Sequence, residues 1–302
     1  MNNIVYKENE ARSIEKLAAQ NSIYREAKQC TIAKLYICVI IVVLLTYVGV
    51  FIKELENWIV FYSVFAGFIS FFIDNKINSL KITAAKTQNM FDLYLYNIKW
   101  SELIFGQKVE HEIICRYNEK YTKRNNGDIS KLQNWYDIQI EDVPFNVAKI
   151  ICQKSSCRYD HGLRKKFNFS TNMVFSIALF LILITLFFID LNFLNFLKII
   201  VAPLFPIIQW GISNYMQQDE ALKKNEELNN HMNASWISLI NNQIEYVDDT
   251  QIEQQQYALY QYRCQSPLIP DWFYNKHRDK KEYEMHYSVS NLIEEYTGSL
   301  NN

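Results

Sequence analysis

The hydrophobic residues of this chain are gathered into four long runs, separated by polar sequence. The runs cover residues 35–52, 58–73, 173–189 and 193–215. A helix needs about 20 mostly apolar residues to cross the hydrocarbon core of a bilayer. The second run reaches that length only with its polar flanks, and the fourth is interrupted by Lys198, Pro203 and Pro206. A buried core helix is the alternative for runs this short, but such a helix normally carries a polar face. The pattern therefore predicts four transmembrane helices.

Short connectors group the four runs into two hairpins. Runs one and two are joined by residues 53–57, and runs three and four by residues 190–192. Lys and Arg number 5 before residue 34, 16 between residues 74 and 169, and 7 after residue 215. Basic residues mark the cytoplasmic side of a membrane protein. Both termini and the middle segment are therefore predicted to be cytoplasmic, with the hairpin tips outside.

The predicted fold is mainly α: a helical membrane protein with an insert domain between two hairpins and long cytoplasmic helices at both ends. The predicted units are an N-terminal helix (1–33), hairpin 1 (34–74), a basic insert domain (75–168), hairpin 2 (169–215), and a C-terminal helix with an aromatic strap (216–302).

Periodicity gives a coarse prediction of the polar segments. Residues 8–33 and 216–247 read as helices that leave the membrane together and pack as a stalk. Residues 91–96 are compatible with a strand, residues 125–128 (NNGD) predict a turn, and residues 150–158 predict a helix. The prolines at 267 and 270 predict an extended aromatic strap ahead of a helix over about 281–296. One face of the N-terminal helix is predicted to carry Ile14, Leu17, Ala18, Asn21, Tyr24 and Lys28.

Composition and charge refine this picture. Only 7 Gly and 5 Pro occur in 302 residues, which disfavours a β fold with many turns. The insert carries 16 basic and 10 acidic residues, whereas the segment from residue 216 carries 7 basic and 14 acidic ones. Either the two segments dock through these opposite charges, or the basic insert receives a phosphate-bearing ligand. Both interpretations stay open, and they are compatible.

The inventory of catalytic and metal-binding motifs is poor. The sequence contains no GxGxxG, P-loop or GxSxG motif and no CxxC pair, and His111-Glu112 lacks the second His of a zinc-protease helix. Asp160-His161 is the one candidate acid/base pair. We therefore predict a protein that is not an enzyme and has no cofactor and no metal site.

Several short motifs follow one another in order along the chain. They are Ile14 and Gln20-Asn21, then Phe91-Asp92-Leu93-Tyr94, Trp135-Tyr136-Asp137, Cys152-Gln153, Tyr159-Asp160 and Leu163-Arg164, and finally Arg263, Pro267 and Pro270-Asp271-Trp272-Phe273-Tyr274. Together with the two hairpins, they resemble the four-transmembrane effector family associated with bacterial cyclic-oligonucleotide anti-phage signalling (SMODS-associated, or CBASS, systems). The resemblance spans nearly the whole chain.

The resemblance implies a role and a location. Such effectors are expected to respond to a cyclic oligonucleotide second messenger and to disrupt the bacterial inner membrane as homo-oligomers, which stops the infected cell. Partners are then the second messenger, the lipid bilayer and further copies of the chain, with no binding of DNA or RNA polymers. The alternatives are a constitutive channel or transporter subunit, and a membrane-tethered nucleotide hydrolase.

The chemistry of a cyclic oligonucleotide suggests where it would bind. Its phosphodiesters call for Arg or Lys and its bases for aromatic faces. The candidate ligand-binding residues are Trp135, Tyr136, Arg158, Tyr159 and Arg164 in the insert and Arg263, Trp272 and Tyr274 in the tail, with Lys165 as a further cation. A structural role is the alternative for each of them.

Small and polar residues recur at helical spacing in two of the runs. Such a face either packs helices closely or lines a latent pore that opens on oligomerisation. The candidate pore-lining residues are Ser63, Gly67, Ser70 and Asp74 in run two, and Gln209 and Ser213, with Ala202 and Pro206, in run four.

Overall fold

A computed structural model describes residues 2–188, 196, 201–241 and 249–300 of the chain. Within these residues all regular structure is helical and no strand occurs, so the mainly α prediction is confirmed. The tip of the second hairpin at residues 190–192, the Lys198 position and the predicted end of the C-terminal helix at Val247 lie outside the described residues.

Ten α-helices are described. They are α1 (Ile4–Glu8), α2 (Ala11–Leu35), α3 (Ile41–Phe51), α4 (Glu56–Tyr96), α5 (Glu102–Phe105), α6 (His111–Arg124), α7 (Phe145–Phe188), α8 (Ala202–Asn241), α9 (Asp249–Gln265) and α10 (Asp271–Leu300). A π-helical turn, Tyr36–Ile40, joins α2 to α3, and short 3-10 turns lie at Lys53–Leu55, Ser130–Leu132 and Ile138–Asp142.

The apolar runs are the ends of longer helices. Helix α4 has 41 residues and carries run two at its start, and α7 has 44 residues and carries run three at its end. The predicted unit boundaries at 74/75, 168/169 and 215/216 all lie inside these helices or inside α8. The polar parts of the chain, here called the head, are therefore built on the same helices as the apolar parts.

The first hairpin is fixed by polar contacts along its length. Residues 52–55 make the turn between α3 and α4. The Sγ of Cys38 lies 3.3 Å from the carbonyl oxygen of Ala66, and the hydroxyl of Tyr62 donates to the carbonyl oxygen of Ile37 at 2.9 Å. Among the described residues, two helical segments, Ala11–Gly49 and Lys53–Tyr96, are long and apolar enough to cross a membrane.

The second hairpin brings α7 and α8 close together. Gly211 of α8 faces the ring of Phe175 of α7, and a Cβ at Gly211 would lie 1.5 Å from the ring's Cζ. The rings of Phe175 and Trp210 are 6.4 Å apart between centroids. Only a glycine lets the two helices approach this closely at that level.

Residues 91–96 are helical, so the strand interpretation is wrong. They form the last turns of α4, and every one except Tyr94 is buried. A helix surrounded on most sides loses the polar face by which its period is recognised. Asn97, in the left-handed region at φ 56°, ends the helix.

The predicted stalk is also wrong. Helix α2 packs chiefly on α4 and α6, whereas α8 packs on α7. The buried stripe of α2 includes Ala18, Ala19, Ser22, Ile23 and Ala27. Asn21 is exposed instead of sharing that stripe, and its side-chain oxygen accepts from Arg124 of α6 at 2.7 Å. Small side chains allow α2 to lie close to α4, where Ala84 meets Ala19 in one cluster.

The aromatic strap is shorter than predicted, because α10 begins at Asp271 instead of about residue 281. Only residues 266–270 are extended, and Pro270 directly precedes the helix. Trp272, Phe273 and Tyr274 consequently lie on the first turn of a helix.

Helix α10 runs antiparallel to α7. The rings of Phe273 and Phe167 are 5.1 Å apart, and further along, the Arg158 guanidinium donates to the hydroxyl of Ser288 at 3.4 Å. Between these pairs, a Cβ at Gly162 would lie 2.6 Å from Nζ of Lys281. The start of α10 therefore lies at the level where α7 enters its apolar run.

Candidate functional site

A loop between α6 and α7, residues 130–143, is held in place by the N-terminal residues. The side-chain amide of Asn9 donates to the side-chain oxygen of Asn134 at 3.0 Å. In return, the backbone N–H of Asn134 donates to the side-chain oxygen of Asn9 at 3.1 Å. Asn134 is in the left-handed region, φ 54°, which asparagine tolerates. The backbone N–H of Tyr136 donates to the carboxyl of Glu8 at 3.2 Å. These contacts fix the position of Trp135 between them.

Three of the predicted ligand-binding aromatics come together around this loop. The ring centroids of Trp135 and Tyr159 are 5.0 Å apart, and those of Tyr159 and Tyr274 are 6.4 Å apart. Tyr159 is buried, while Trp135 and Tyr274 are half-buried. The insert and the tail thus contribute to one aromatic cluster, from three separate elements.

An open cleft of about 320 Å³ lies beside this cluster, between the loop and α10. Trp135 forms part of its wall, and Lys131 and Arg278 supply positive charge. The guanidinium of Arg278 donates to the carbonyl oxygen of Lys131 at 2.7 Å and to the carboxylate of Glu282 at 2.5 Å. The cleft therefore combines an aromatic face with two cations and two carboxylates, those of Asp279 and Glu282.

Sequence reasoning missed the cleft residues Lys131, Arg278 and His286. Nδ1 of His286 lies 3.2 Å from the carboxylate of Asp137, which ties α10 to the loop. A signal was available, because Arg278 lies four residues after Tyr274 and residues at that spacing share a helix face. Starting the last helix at about residue 281 concealed this relation.

Arg164 is placed away from the cleft and is buried, with 4% of its surface exposed. Its guanidinium donates to the hydroxyl of Tyr262 at 2.9 Å, to Oε1 of Gln218 at 2.8 Å and to the carbonyl oxygen of Pro267 at 2.9 Å, and it pairs with Asp160 at 3.3 Å. These contacts join α7, α8, α9 and the residues before α10. They leave the guanidinium little capacity for a ligand.

Arg263 lies in a second buried network at the centre of the head. It pairs with Asp92 of α4, whose side chain is 4% exposed. The side-chain amide of Gln256 donates to Asp92 at 3.0 Å and to Asn89 at 2.9 Å, and Gln153 of α7 donates to Gln256 at 3.1 Å. The network connects three long helices through polar groups that are withdrawn from water.

The remaining ligand-binding candidates are spread over the head. Tyr136 is a core residue whose hydroxyl lies 2.9 Å from that of Tyr96. Arg158 is exposed and close to Ser288, and Trp272 is exposed at the membrane-proximal end of α10. Lys165 is exposed next to the start of the third run. The structure thus gathers Trp135, Tyr159 and Tyr274 and separates them from the other candidates.

Asp160 is engaged elsewhere than with His161. Its carboxylate accepts from Tyr262 and from Arg164, both within the buried contacts described above. A carboxylate that orients a catalytic histidine must hydrogen-bond to its ring. This geometry gives no support to the acid/base interpretation of Asp160-His161.

Of the candidate pore-lining residues, Gly67, Gln209 and Ser213 lie on open surfaces of the single chain, whereas Ser63, Ser70 and Asp74 are half-buried. Gln209 and Ser213 lie on an exposed groove along α8, together with the apolar side chains of Phe205, Ile208 and Ile212. Gly67 of α4 faces open space, since a Cβ added to it would meet no atom within 4 Å. The residues at the other end of the α4 face differ, because Asp74 is paired with Lys34 at 2.7 Å.

The opposite charges of insert and tail are only weakly matched in the structure. Among the described residues, one ion pair, Lys149 with Asp249 at 3.2 Å, joins a basic insert residue to an acidic tail residue. In two other pairs the tail supplies the basic residue and the insert the acidic one: Arg263 with Asp92, and His286 with Asp137. Two further insert cations, Lys76 and Lys120, pair with Glu26 of α2 instead, so the insert meets the tail through few opposite charges.

Glu8 makes the stability of the head depend on pH. Its side chain is 1% exposed, and burial raises its pKa to about 8 against the hydrogen bond from Tyr136. Since the folded pKa lies above the ordinary 4.5, folding takes up a proton. The stabilising effect is complete below the unfolded pKa and is lost as the pH rises through the folded one.

Glu8→Gln is therefore expected to match the wild type at low pH and to exceed it in stability at high pH. The difference should grow by at most about 1.4 kcal/mol per pH unit between the two pKa values. Thermal unfolding of the detergent-solubilised protein across that range measures it. Glu15→Gln, at an exposed position, is the control and should leave the pH profile unchanged. A Glu8→Gln profile parallel to that of the wild type would refute the assignment.

Comparison with known proteins agrees with this architecture. The family described as "SMODS-associating 4TM effector domain" matches residues 2–292. The chain is also similar to a probable CBASS effector molecule from Bacillus cereus (strain VD146), at 26% identity over 287 residues, which covers 92% of this chain and 94% of that protein. No solved structure matches the chain. The four-span helical architecture and the resemblance drawn from the sequence are both confirmed.

Proposed function

The chain belongs to the SMODS-associating 4TM effector family, and from that membership we propose that it is a membrane effector of a CBASS anti-phage system. In this proposal the head binds a cyclic oligonucleotide made on infection. Binding promotes assembly of several copies, and the assembled spans breach the inner membrane, which stops the host cell. Both termini and the head are cytoplasmic, where the second messenger is made.

The observation that carries the input step is the cleft between the loop and α10. A base needs an aromatic face to stack on, and Trp135 supplies one that is half-buried and fixed in position. A phosphodiester needs a cation, and the guanidinium of Arg278 offers a planar fork suited to it. In the free head that guanidinium is held by Glu282, which a phosphate of the ligand would displace.

The size of the cleft limits how much of the ligand it encloses. Small-molecule sites usually measure about 300–1,000 Å³, so 320 Å³ is at the lower end. One nucleotide unit of a cyclic di- or trinucleotide would lie inside, with the rest of the ring at the mouth. Tyr159 and Tyr274, directly behind Trp135, would stiffen the wall against which the base stacks.

The output step is assigned to the polar faces of two spans. Gln209 and Ser213 lie among apolar side chains on an open groove of α8, and Ser63, Gly67 and Ser70 share one face of α4. A glutamine facing acyl chains is unfavourable, so a partner surface or water is the stable alternative. Assembly of several copies would turn these faces toward one another.

Binding of a panel of cyclic di- and trinucleotides to the purified protein tests the input. Trp135→Ala is expected to weaken binding about 5- to 150-fold, since a lost base-stacking contact costs about 1–3 kcal/mol. Trp272→Ala is the matched comparison, because it removes the same side chain from a different surface of the head. Binding that is lost in Trp272→Ala and kept in Trp135→Ala would move the site away from the cleft.

The same variants in liposomes separate the output from the alternatives. The ligand should trigger dye leakage in the wild type, and Gln209→Leu should suppress leakage while binding is retained. His161→Ala should leak like the wild type. Leakage without any ligand would support a constitutive channel instead, and activity lost in His161→Ala with sealed liposomes would support a hydrolase.

A further inference from the structure

The first turns of α10 lie at the level where α7 enters the membrane. Phe273 packs on Phe167, two residues before the predicted start of the second hairpin at residue 169. From there α10 leads away from the membrane, because it is antiparallel to α7. Its exposed side chains are therefore ordered by depth below the bilayer surface, and Trp272 comes first.

An aromatic and basic stripe occupies this part of α10. Trp272, Lys276 and Lys280 follow one another at steps of four residues, which places them on one helix face, and all three are exposed. Trp272 has 66% of its surface exposed. Lys166 of α7 lies across from the stripe, and His277 sits within it.

Three lysines of this patch form no ion pair in the described parts of the chain. Across the described parts of the chain, no carboxylate lies within 4 Å of the ammonium of Lys166, Lys276 or Lys280, whereas the adjoining Lys281 pairs with Glu284. Burial, and then the like charges of these four lysines, hold the pKa of His277 below its ordinary value. Of the nearby acidic groups, Asp271 is paired with Lys28, and Asp279 lies at the cleft. Glu284 lies close to Lys166 and Lys280 as well, but its carboxylate is paired with Lys281.

The distances suit a charged surface at the end of the helix. With a rise of about 1.5 Å per residue, Lys276 is about 5 Å and Lys280 about 10 Å below the level of Phe273. Fixed charges act over about 8–10 Å at physiological ionic strength. Tryptophan is enriched at membrane interfaces, where its ring lies at the level of the headgroups. An anionic bilayer surface therefore complements both parts of the stripe.

We propose that Trp272, Lys276 and Lys280 of α10, with Lys166 of α7, form a docking surface for anionic phospholipid headgroups in the leaflet next to the head. This contact holds the start of α10 against the membrane. It does not depend on the cyclic-oligonucleotide cleft, which lies on the neighbouring face of the helix around Arg278, Glu282 and His286.

Quenching of Trp272 by brominated lipids in nanodiscs tests the proposal on the full-length protein. The bilayers contain equal amounts of phosphatidylglycerol and phosphatidylcholine, and only one of the two is brominated at a time. Subtracting the signal of Trp272→Phe isolates the emission of Trp272 from that of the other tryptophans. The wild type should be quenched more strongly when phosphatidylglycerol carries the bromine.

Replacing Lys166, Lys276 and Lys280 together with glutamine should reduce this preference about ten-fold or more, since each basic residue near an anionic surface contributes about five-fold. The control replaces Lys99, Lys108 and Lys123, which are exposed elsewhere in the head, and should keep the preference. The double variant Lys276→Gln/Lys280→Gln changes only exposed residues and keeps the half-buried Lys166. A reduced preference in this variant could not be due to misfolding caused by the loss of Lys166.

Two results would overturn the proposal. One is an equal preference in the wild type and in the variants. The other is loss of the preference on adding inorganic phosphate or a cyclic dinucleotide, at concentrations where chloride of matched ionic strength has no effect. The second result would assign the patch to a soluble anion rather than to the membrane.

Discussion

Replacing Arg263 with alanine is expected to destabilise the head by about 3–5 kcal/mol, because it leaves the carboxylate of Asp92 buried without its cation. The remaining donor to Asp92, the amide of Gln256, carries no charge. Thermal unfolding in detergent should show a large decrease in melting temperature. Any decrease in ligand affinity of this variant should result from the loss of folded structure, and not from the loss of a contact between Arg263 and the ligand.

Two comparisons isolate the cause of that effect. Arg263→Ala combined with Asp92→Asn should recover part of the stability, since no charge is then left unpaired. Arg158→Ala removes the same side chain from an exposed position and should be nearly neutral. A melting temperature that is unchanged in Arg263→Ala, together with lost ligand binding, would show instead that Arg263 contacts the ligand.

Leucine at Gly211 is expected to disrupt the second hairpin, while leucine at Gly67 leaves the isolated chain intact. A Cβ at Gly211 would overlap the ring of Phe175, whereas one at Gly67 meets nothing within 4 Å. Overpacking of a tight contact costs about 1–3 kcal/mol and sometimes more. Thermal stability by size-exclusion chromatography, measured on both variants in the same detergent, makes the comparison direct.

The oligomeric state of the Gly67→Leu protein carries the second part of this test. If the open face around Gly67 meets another copy in the active assembly, the variant should fold normally but fail to assemble with ligand. Normal assembly and leakage in Gly67→Leu would remove that face from the interface. A Gly211→Leu protein as stable as the wild type would contradict the close approach of α7 and α8.

The spans were predictable from sequence because bilayer thickness imposes a length that composition alone reveals. The head was less predictable, since its helices bury several faces at once. Residues 91–96 show the reason: a helix enclosed by neighbours has no polar face, and its pattern then fits a strand equally well. The pairing of α2 with α4 depends on small side chains, whose positions no hydrophobic period identifies.

The candidate site was predicted only in part, for a chemical reason. A guanidinium that bridges helices and one that binds phosphate are the same group, so Arg164 and Arg263 are indistinguishable in sequence from ligand-binding arginines. Trp135, Tyr159 and Tyr274 do lie together, because aromatics pack together in either role, and their contact with a ligand stays a prediction. Glu8 was not predicted at all, because its raised pKa arises from burial by residues distant in the chain.

The continuity of the long helices has a mechanical consequence. Helices α4, α7 and α8 pass from the head into the apolar region without interruption, and α7 alone is about 66 Å long. Because α7 is one continuous helix, a rotation of the helix about its axis beside Tyr159 also rotates Phe175. A rotation of about 100° would turn each side chain to the direction that its neighbour in the sequence faced before. The π-helical turn Tyr36–Ile40 interrupts the connection from α2 to α3, at the level of the Lys34–Asp74 pair. Torsion between the head and the bilayer therefore has a place to relax in the first span and, at Pro206, in α8, whereas α4 and α7 contain neither a π-turn nor a proline in their described helices.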